Sequence, residues 1–233
     1  MVFFVMSDVE NLSSLLEKIY FIIVKYTNCQ YKCYNLFTDS DWELVFRAQA
    51  YNNLSPYNAW MGTLSLPTPA EDGCRLMTNT STCTTIYRSG ILDLWESESL
   101  SEVQLEMYKD GQRVVNIRFD GIGSTIDDWF DISRLIDSGW SKLNKNSTFN
   151  FFELRGAGER TFYMNQRFRG CALDRGWMMV ADVNATARWF CDYDNNHTGF
   201  PAFLYAPGED VMLWQDPTFD YGLADVLAVF IKN

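Results

Sequence analysis

A single histidine, His197, stands in a chain of 233 residues, and that scarcity removes most hydrolytic and metal chemistry at once. A catalytic zinc site takes two or three histidines. A serine triad built on His197 would want a G-x-S-x-G turn, which GIGST (121–125) and RSGIL (88–92) do not supply. Phosphate cradles of the G-x-x-x-x-G-K-[ST] or G-x-G-x-x-G kind are missing as well. Positive charge is scarce: 19 Lys and Arg against 30 Asp and Glu give a formal charge of −11. Such a field repels phosphate backbones and anionic membrane surfaces, so nucleic acid is not an expected partner. IYFIIV (19–24) is too short to span a bilayer, and no membrane insertion is expected.

Aromatic residues are abundant, with 17 Phe, 12 Tyr and 8 Trp in a chain that is 47% hydrophobic. A chain of this kind buries a core and folds as a globule. Its six cysteines fall into three sequence-local pairs, and neighbour pairing gives Cys29–Cys33, Cys74–Cys83 and Cys171–Cys191. Six N-x-S/T sequons, at Asn11, Asn53, Asn79, Asn146, Asn184 and Asn196, favour an extracellular, disulfide-bonded glycoprotein over a cytosolic home. MVFFVMSDVENLSS lacks the basic n-region of a signal peptide, so residues 1 to about 35 are not expected to be the natural secretory start.

Two segments are expected: 1–40, helical and leader-like, and 41–233, a β-rich recognition domain. Residues 7–26 read as a helix, with Ser7 and Glu10 as a capping box and leucines and isoleucines recurring at three and four. WELVFRAQAY (42–51) alternates as a strand, with Trp42, Leu44, Phe46 and Ala48 on one face. NNLSPYNAW (52–60) reads as a loop. SEVQLEMYKDGQRVVNIRFDG is the clearest local signal: two alternating runs joined by Asp110-Gly111, a hairpin whose two central residues need positive φ. DISRLIDSG (131–139) reads as a short helix capped by Asp131 and stopped by Gly139. FNFFELRG and RTFYMNQRF read as a strand pair. ADVLAVFIK (224–232), almost continuously apolar, reads as a central strand buried on both faces. The fold class is therefore mainly β, with α+β as an alternative: antiparallel sheets in a sandwich-like single domain with one or two short helices.

Functional chemistry concentrates in 170–207. The run Asp192-Tyr193-Asp194-Asn195-Asn196-His197 follows Cys191 and sets hard oxygen groups beside one another, the ligand type that Ca²⁺ prefers. Asp192, Asp194 and Asn196 are the candidate metal ligands, and Ca²⁺ is the candidate cofactor. Asp and Asn also make turns through side-chain to backbone bonds, and both readings stay open. Trp189, Tyr193, Asn195, His197 and Trp214 are the candidate ligand-binding residues, since sugar C–H faces stack on flat rings while hydroxyls bond to amides and carboxylates. A carboxylate pair drawn from Asp174, Asp182, Asp192, Asp194 and Glu209 is the alternative, in a glycosidase-like hydrolase.

Several blocks, WELVFRA with YNAW, SEVQLEMYKDG, GCALDRGWMMVAD, PAFLYAP and the terminal ADVLAVFIK, resemble a group of largely uncharacterised secreted proteins of marine invertebrates, over residues 41–232. The order of features, Trp42-x-Leu-Val-Phe-Arg, the 103–111 hairpin and a late Asp192-x-Asp194 loop beside a cysteine, is similar to fibrinogen-like and intelectin-like lectin domains. That resemblance implies Ca²⁺ in the late loop near a ligand pocket. The expectation is a secreted, lectin-like protein whose partners are glycans or glycoproteins, with a hydrolase and a structural matrix protein as alternatives.

Overall fold

A computed structural model describes residues 41–67, 70, 73–147, 151–156, 160–182, 191–195, 199–215, 218 and 220–233. The expected helix at 7–26 and the pair Cys29–Cys33 lie outside the described residues. Glu43–Asn233 forms one compact unit.

The described strands make two antiparallel, open sheets. The first contains β1 (Glu43–Gln49), β2 (Tyr87–Arg88), β3 (Glu102–Lys109), β4 (Gln112–Asp120), β5 (Leu135–Ser138) and β12 (Val226–Lys232), in the order β2-β1-β12-β3-β4-β5. The second contains β6 (Phe152–Arg155), β7 (Arg160–Arg167), β8 (Arg175–Ala181), β9 (Ala202–Tyr205) and β11 (Gly222–Ala224), in the order β11-β9-β8-β7-β6, with β10 (Met212–Leu213) pairing with β8. The mainly β reading holds, and the arrangement is consistent with a sandwich.

Alternation decides which side chains meet. Val103, Leu105 and Met107 of β3, Val115, Ile117 and Phe119 of β4, and Leu227, Val229 and Ile231 of β12 enter a core that also holds Phe162 and Met164 of β7 and Phe203 of β9. Aromatic rings join the two sheets there: Phe119 lies 6.0 Å from Phe152, and Phe130 6.0 Å from Phe162. Trp60 reaches both sides, 5.4 Å from Phe46 and 6.2 Å from Phe162. The 224–232 run is central as its composition implies, with β12 between β1 and β3. Asp110 and Gly111 take φ of 50° and 74°, the positive pair that the hairpin reading requires.

Three local expectations change. A bulge between Leu44 and Phe46 breaks the alternation of β1 and sends Val45 into the core beside Phe46. The 52–60 segment is not all loop: Ser55 caps a short helix, α1 (Pro56–Trp60), accepting from Asn58 N–H with Pro56 in the first turn. The expected helix at 131–139 is one 3₁₀ turn, Ile132–Arg134, followed by β5, because Leu135 and its successors pair with the free edge of β4. Asp131 still caps the turn, accepting from Ser133 N–H.

The Cys74–Cys83 disulfide loop lies against β1 of the first sheet. Arg47, fully buried, holds it: Nε donates to Leu76 O (3.0 Å) and Nη2 to Thr78 O (2.8 Å), while Nη1 lies 3.2 Å from Cys83 Sγ. Gln49 imitates a strand neighbour, accepting from Thr80 N–H and donating to Thr80 O. Burial lowers Arg47 to about 10, since its bonds run to neutral acceptors. Arg47→Met removes the donors and leaves the loop carbonyls unpaired. It is expected to lower stability by about 1–3 kcal/mol in urea unfolding, with the largest gain in amide exchange at 76–80.

Candidate functional site

The second sheet is covered on both faces. Beneath the 191–195 segment lies a second core of Tyr163, Met179, Ala181, Cys191, Tyr193, Leu204, Trp214 and Tyr221. A bulge in β7 builds it. Thr161 pairs with Val180 and Met164 with Met178, so one extra residue sits between them, and Phe162 takes φ of 42°. In a regular strand, residues three apart face opposite sides. The extra residue puts Arg160 and Tyr163 on the same outer face, where both reach Asp174.

Arg160, with a side chain 3% exposed, grips Asp194 with a two-pronged bond, Nε to Oδ1 at 3.1 Å and Nη2 to Oδ2 at 2.7 Å. Its Nη1 stands 3.2 Å from Asp174 Oδ2, and Nη2 lies 3.1 Å from Cys191 Sγ. Asp174 is fully buried and accepts from Tyr163 OH (2.8 Å) and Tyr193 OH (2.6 Å). Asn165 Nδ2 donates to Tyr163 Oη, and Cys191 N–H donates to Asp194 Oδ2. The Cys171–Cys191 disulfide closes the same corner. Gly176 admits the covering ring: a Cβ there would stand 2.7 Å from Met164 O and 3.1 Å from Trp214 Nε1.

Burial pushes the Asp174 carboxyl up, against the downward pull of Tyr193, Arg160 and Tyr163. Burial pulls Arg160 down, but the bonds and charge of Asp194 outweigh it and leave the guanidinium above its usual value. Tyr163 and Tyr193 are raised, by burial first, so both stay hydroxyl donors.

The described members of the expected site take different places. Tyr193 and Trp214 are fully buried, Tyr193 as a donor to Asp174 and Trp214 as the ring over Gly176. Asp194 is engaged by Arg160 and Cys191. Asp192, in the short helix α2 (Asp192–Asn195), is exposed and accepts from Gln215 Nε2 at 3.3 Å. Asn195 lies in α2, and its side chain is outside what is described; Trp189, Asn196 and His197 lie outside the described residues altogether. Asp182 accepts from Ser55 Oγ, Tyr57 N–H and Thr161 Oγ1, which ties α1 to the second sheet. Glu209 accepts from Ser141 Oγ at 2.6 Å on the rim of a cleft of about 160 Å³ beside Trp140.

Among the described residues, no group of three or more His, Cys, Asp or Glu is placed to hold a metal ion. Ca²⁺ takes six to eight oxygens. With Asp194 neutralised by Arg160, the described part of this loop turns one carboxylate, Asp192, to solvent.

Arg160, Tyr163 and Asn165 were not singled out from the sequence. The available signal was an arginine, a tyrosine and an asparagine inside an aromatic strand, RTFYMNQRF, where a cation that becomes buried is most strongly stabilised by a carboxylate partner.

Comparison with protein-family models, with curated proteins and with solved structures finds no match in any of the three. No helix among the described residues is long and apolar enough to cross a membrane.

Two outcomes follow from the ion network. Arg160→Met leaves Asp174 and Asp194 buried without a cation and is expected to cost about 3–5 kcal/mol in urea unfolding, with Arg160→Lys recovering only part of it because one ammonium cannot make the fork. Asp174→Asn tests the raised carboxyl. The folded wild type holds a proton that the unfolded chain has released between the ordinary carboxylate value and the raised one, so wild-type stability falls as pH rises through that window and levels off above it. Relative to Asp174→Asn, which lacks that step, the wild type should lose ground from about pH 4 upward until the raised value is passed; unfolding series at stepped pH read it directly.

Proposed function

We propose that the chain is an extracellular recognition protein whose ligand is a neutral glycan, bound at the corner displayed by α2. The observation that carries the reading is the division of labour among carboxylates. Asp174, Asp182 and Asp194 are engaged by arginine, hydroxyl or backbone donors, while Asp192 remains exposed with the Gln215 amide beside it. A hydrolase needs an acid and a base free to exchange protons across a bond. A binding site needs acceptors and donors held still, and an exposed carboxylate–amide pair meets the hydroxyls of a sugar. The protein's charge of −11 favours uncharged over sulfated or sialylated glycans. The two described disulfides accord with an oxidising compartment.

A glycan array probed with the oxidised protein tests the reading. Binding to neutral glycans is expected, and Asp192→Ala or Gln215→Ala should weaken it about tenfold or more, the worth of a hydrogen bond to a charged group, with the melting temperature unchanged. A blank array, or binding indifferent to both substitutions, overturns it.

A further inference from the structure

A groove of about 340 Å³ runs along β5, which among the described residues is the outermost strand of the first sheet, between that strand and the turn at 144–147. Its wall includes Leu135, Leu143, Trp140 and Ile136, the last 49% exposed on an edge strand. Unpaired edges with apolar side chains are templates for another strand, and stable proteins cover them.

The far wall ends in Asn144 and Lys145, and the next residue is the sequon asparagine Asn146. That turn is firmly built. Asn144 Oδ1 accepts from Asn146 N–H (3.0 Å), Asn144 N–H donates to Ser147 Oγ (2.8 Å), and Lys145 Nζ donates to Ser133 O (2.7 Å), in the 3₁₀ turn that precedes β5. Asn146 itself is exposed. Its backbone is fixed at the rim, and among the described residues its side-chain amide makes no hydrogen bond.

We infer that Asn146 carries an N-linked glycan whose first sugars lie in this groove and cover the β5 edge. The amide Nδ2 attacks C1 of an oligosaccharide carried on a lipid pyrophosphate. The N–C1 bond forms, the C1–O bond breaks, the lipid pyrophosphate leaves with the electron pair, and an amide proton passes to a base of the transferase. The first sugars then offer C–H faces to Leu135, Ile136 and Leu143, and hydroxyls to Ser141 and Lys145. The tether makes this binding intramolecular, at an effective concentration in the millimolar range, so intrinsically weak contacts keep the groove filled. The inference shares with the proposed function an extracellular home, and nothing else.

The test uses the full chain secreted from a glycosylating eukaryotic line. Amidase release of N-glycans in ¹⁸O water, followed by peptide mass analysis, should mark Asn146 as Asp with the heavy oxygen. Asn146→Gln and the enzymatically deglycosylated folded protein should then both show faster amide exchange over 135–145 and a shift from monomer toward dimer in light scattering. Asn79→Gln, in the disulfide loop, should change neither. An unmarked Asn146 overturns the inference, and if Asn79 is unmarked too, the extracellular home falls with it. A marked Asn146 whose removal leaves exchange and mass unchanged overturns the covering role, whatever the glycan array shows.

Discussion

A guanidinium shut away from water needs its charge answered nearby, and much of the geometry around the second sheet can be traced to that need. Arg160 starts β7, in a sheet covered by apolar side chains on both faces. Without a carboxylate its burial would cost several kcal/mol. Asp194 supplies the answer from α2 and Asp174 from the residue just before β8, so one cation ties together three separate pieces of chain. The second carboxylate is an excess of negative charge, and the two tyrosine hydroxyls are what make it tolerable. Each lends Asp174 a proton to share, and burial keeps both hydroxyls from ionising. The bulge at Phe162 is the backbone's part in the same solution, since without it Arg160 and Tyr163 would face opposite sides.

The first sheet treats its buried arginine differently. Arg47 is answered by carbonyl oxygens and an amide, and by no carboxylate among its bonds, so it fixes a loop by direction more than by charge. Both arginines lie against a disulfide sulfur, Arg47 at Cys83 and Arg160 at Cys191. In each case a covalent link limits how far the covering segment can stray, and the guanidinium sets where within that range it rests. A short disulfide loop restrains the unfolded chain but specifies no docking position by itself. The arginine supplies the position.

How far this was legible in the sequence depends on the range of the cause. The Asp110-Gly111 hairpin, β12 and the β6–β7 pair were readable because turn chemistry and alternation act within a few residues. Cys74–Cys83 and Cys171–Cys191 were readable because their partners are near neighbours in the chain. DISRLIDSG misled because its cap is genuine while its continuation is decided by a distant edge of β4, which local propensity does not see. Tyr193 and Trp214 drew attention as surface aromatics for the same reason. Nothing near them in sequence says that β7 and β8 run beneath them and turn them into core. The Arg160 pairings span 14 and 34 residues and hinge on one inserted residue, so the parts were visible but their assembly was not.

The placement of charge also bears on what this corner is suited to do. A carboxylate that must carry a proton in one step and release it in the next needs an environment able to change with it. Asp174 and Asp194 are bound into one network with a buried cation, a disulfide-linked segment and two tyrosines, so moving either disturbs all of them together. The backbone that carries Asp192 is anchored from below by the bonds of Asp194 to Arg160 and to Cys191 N–H, so its position is set by folding. A turn held in this way keeps little of the conformational freedom that a flexible polar surface has to lose when it is ordered.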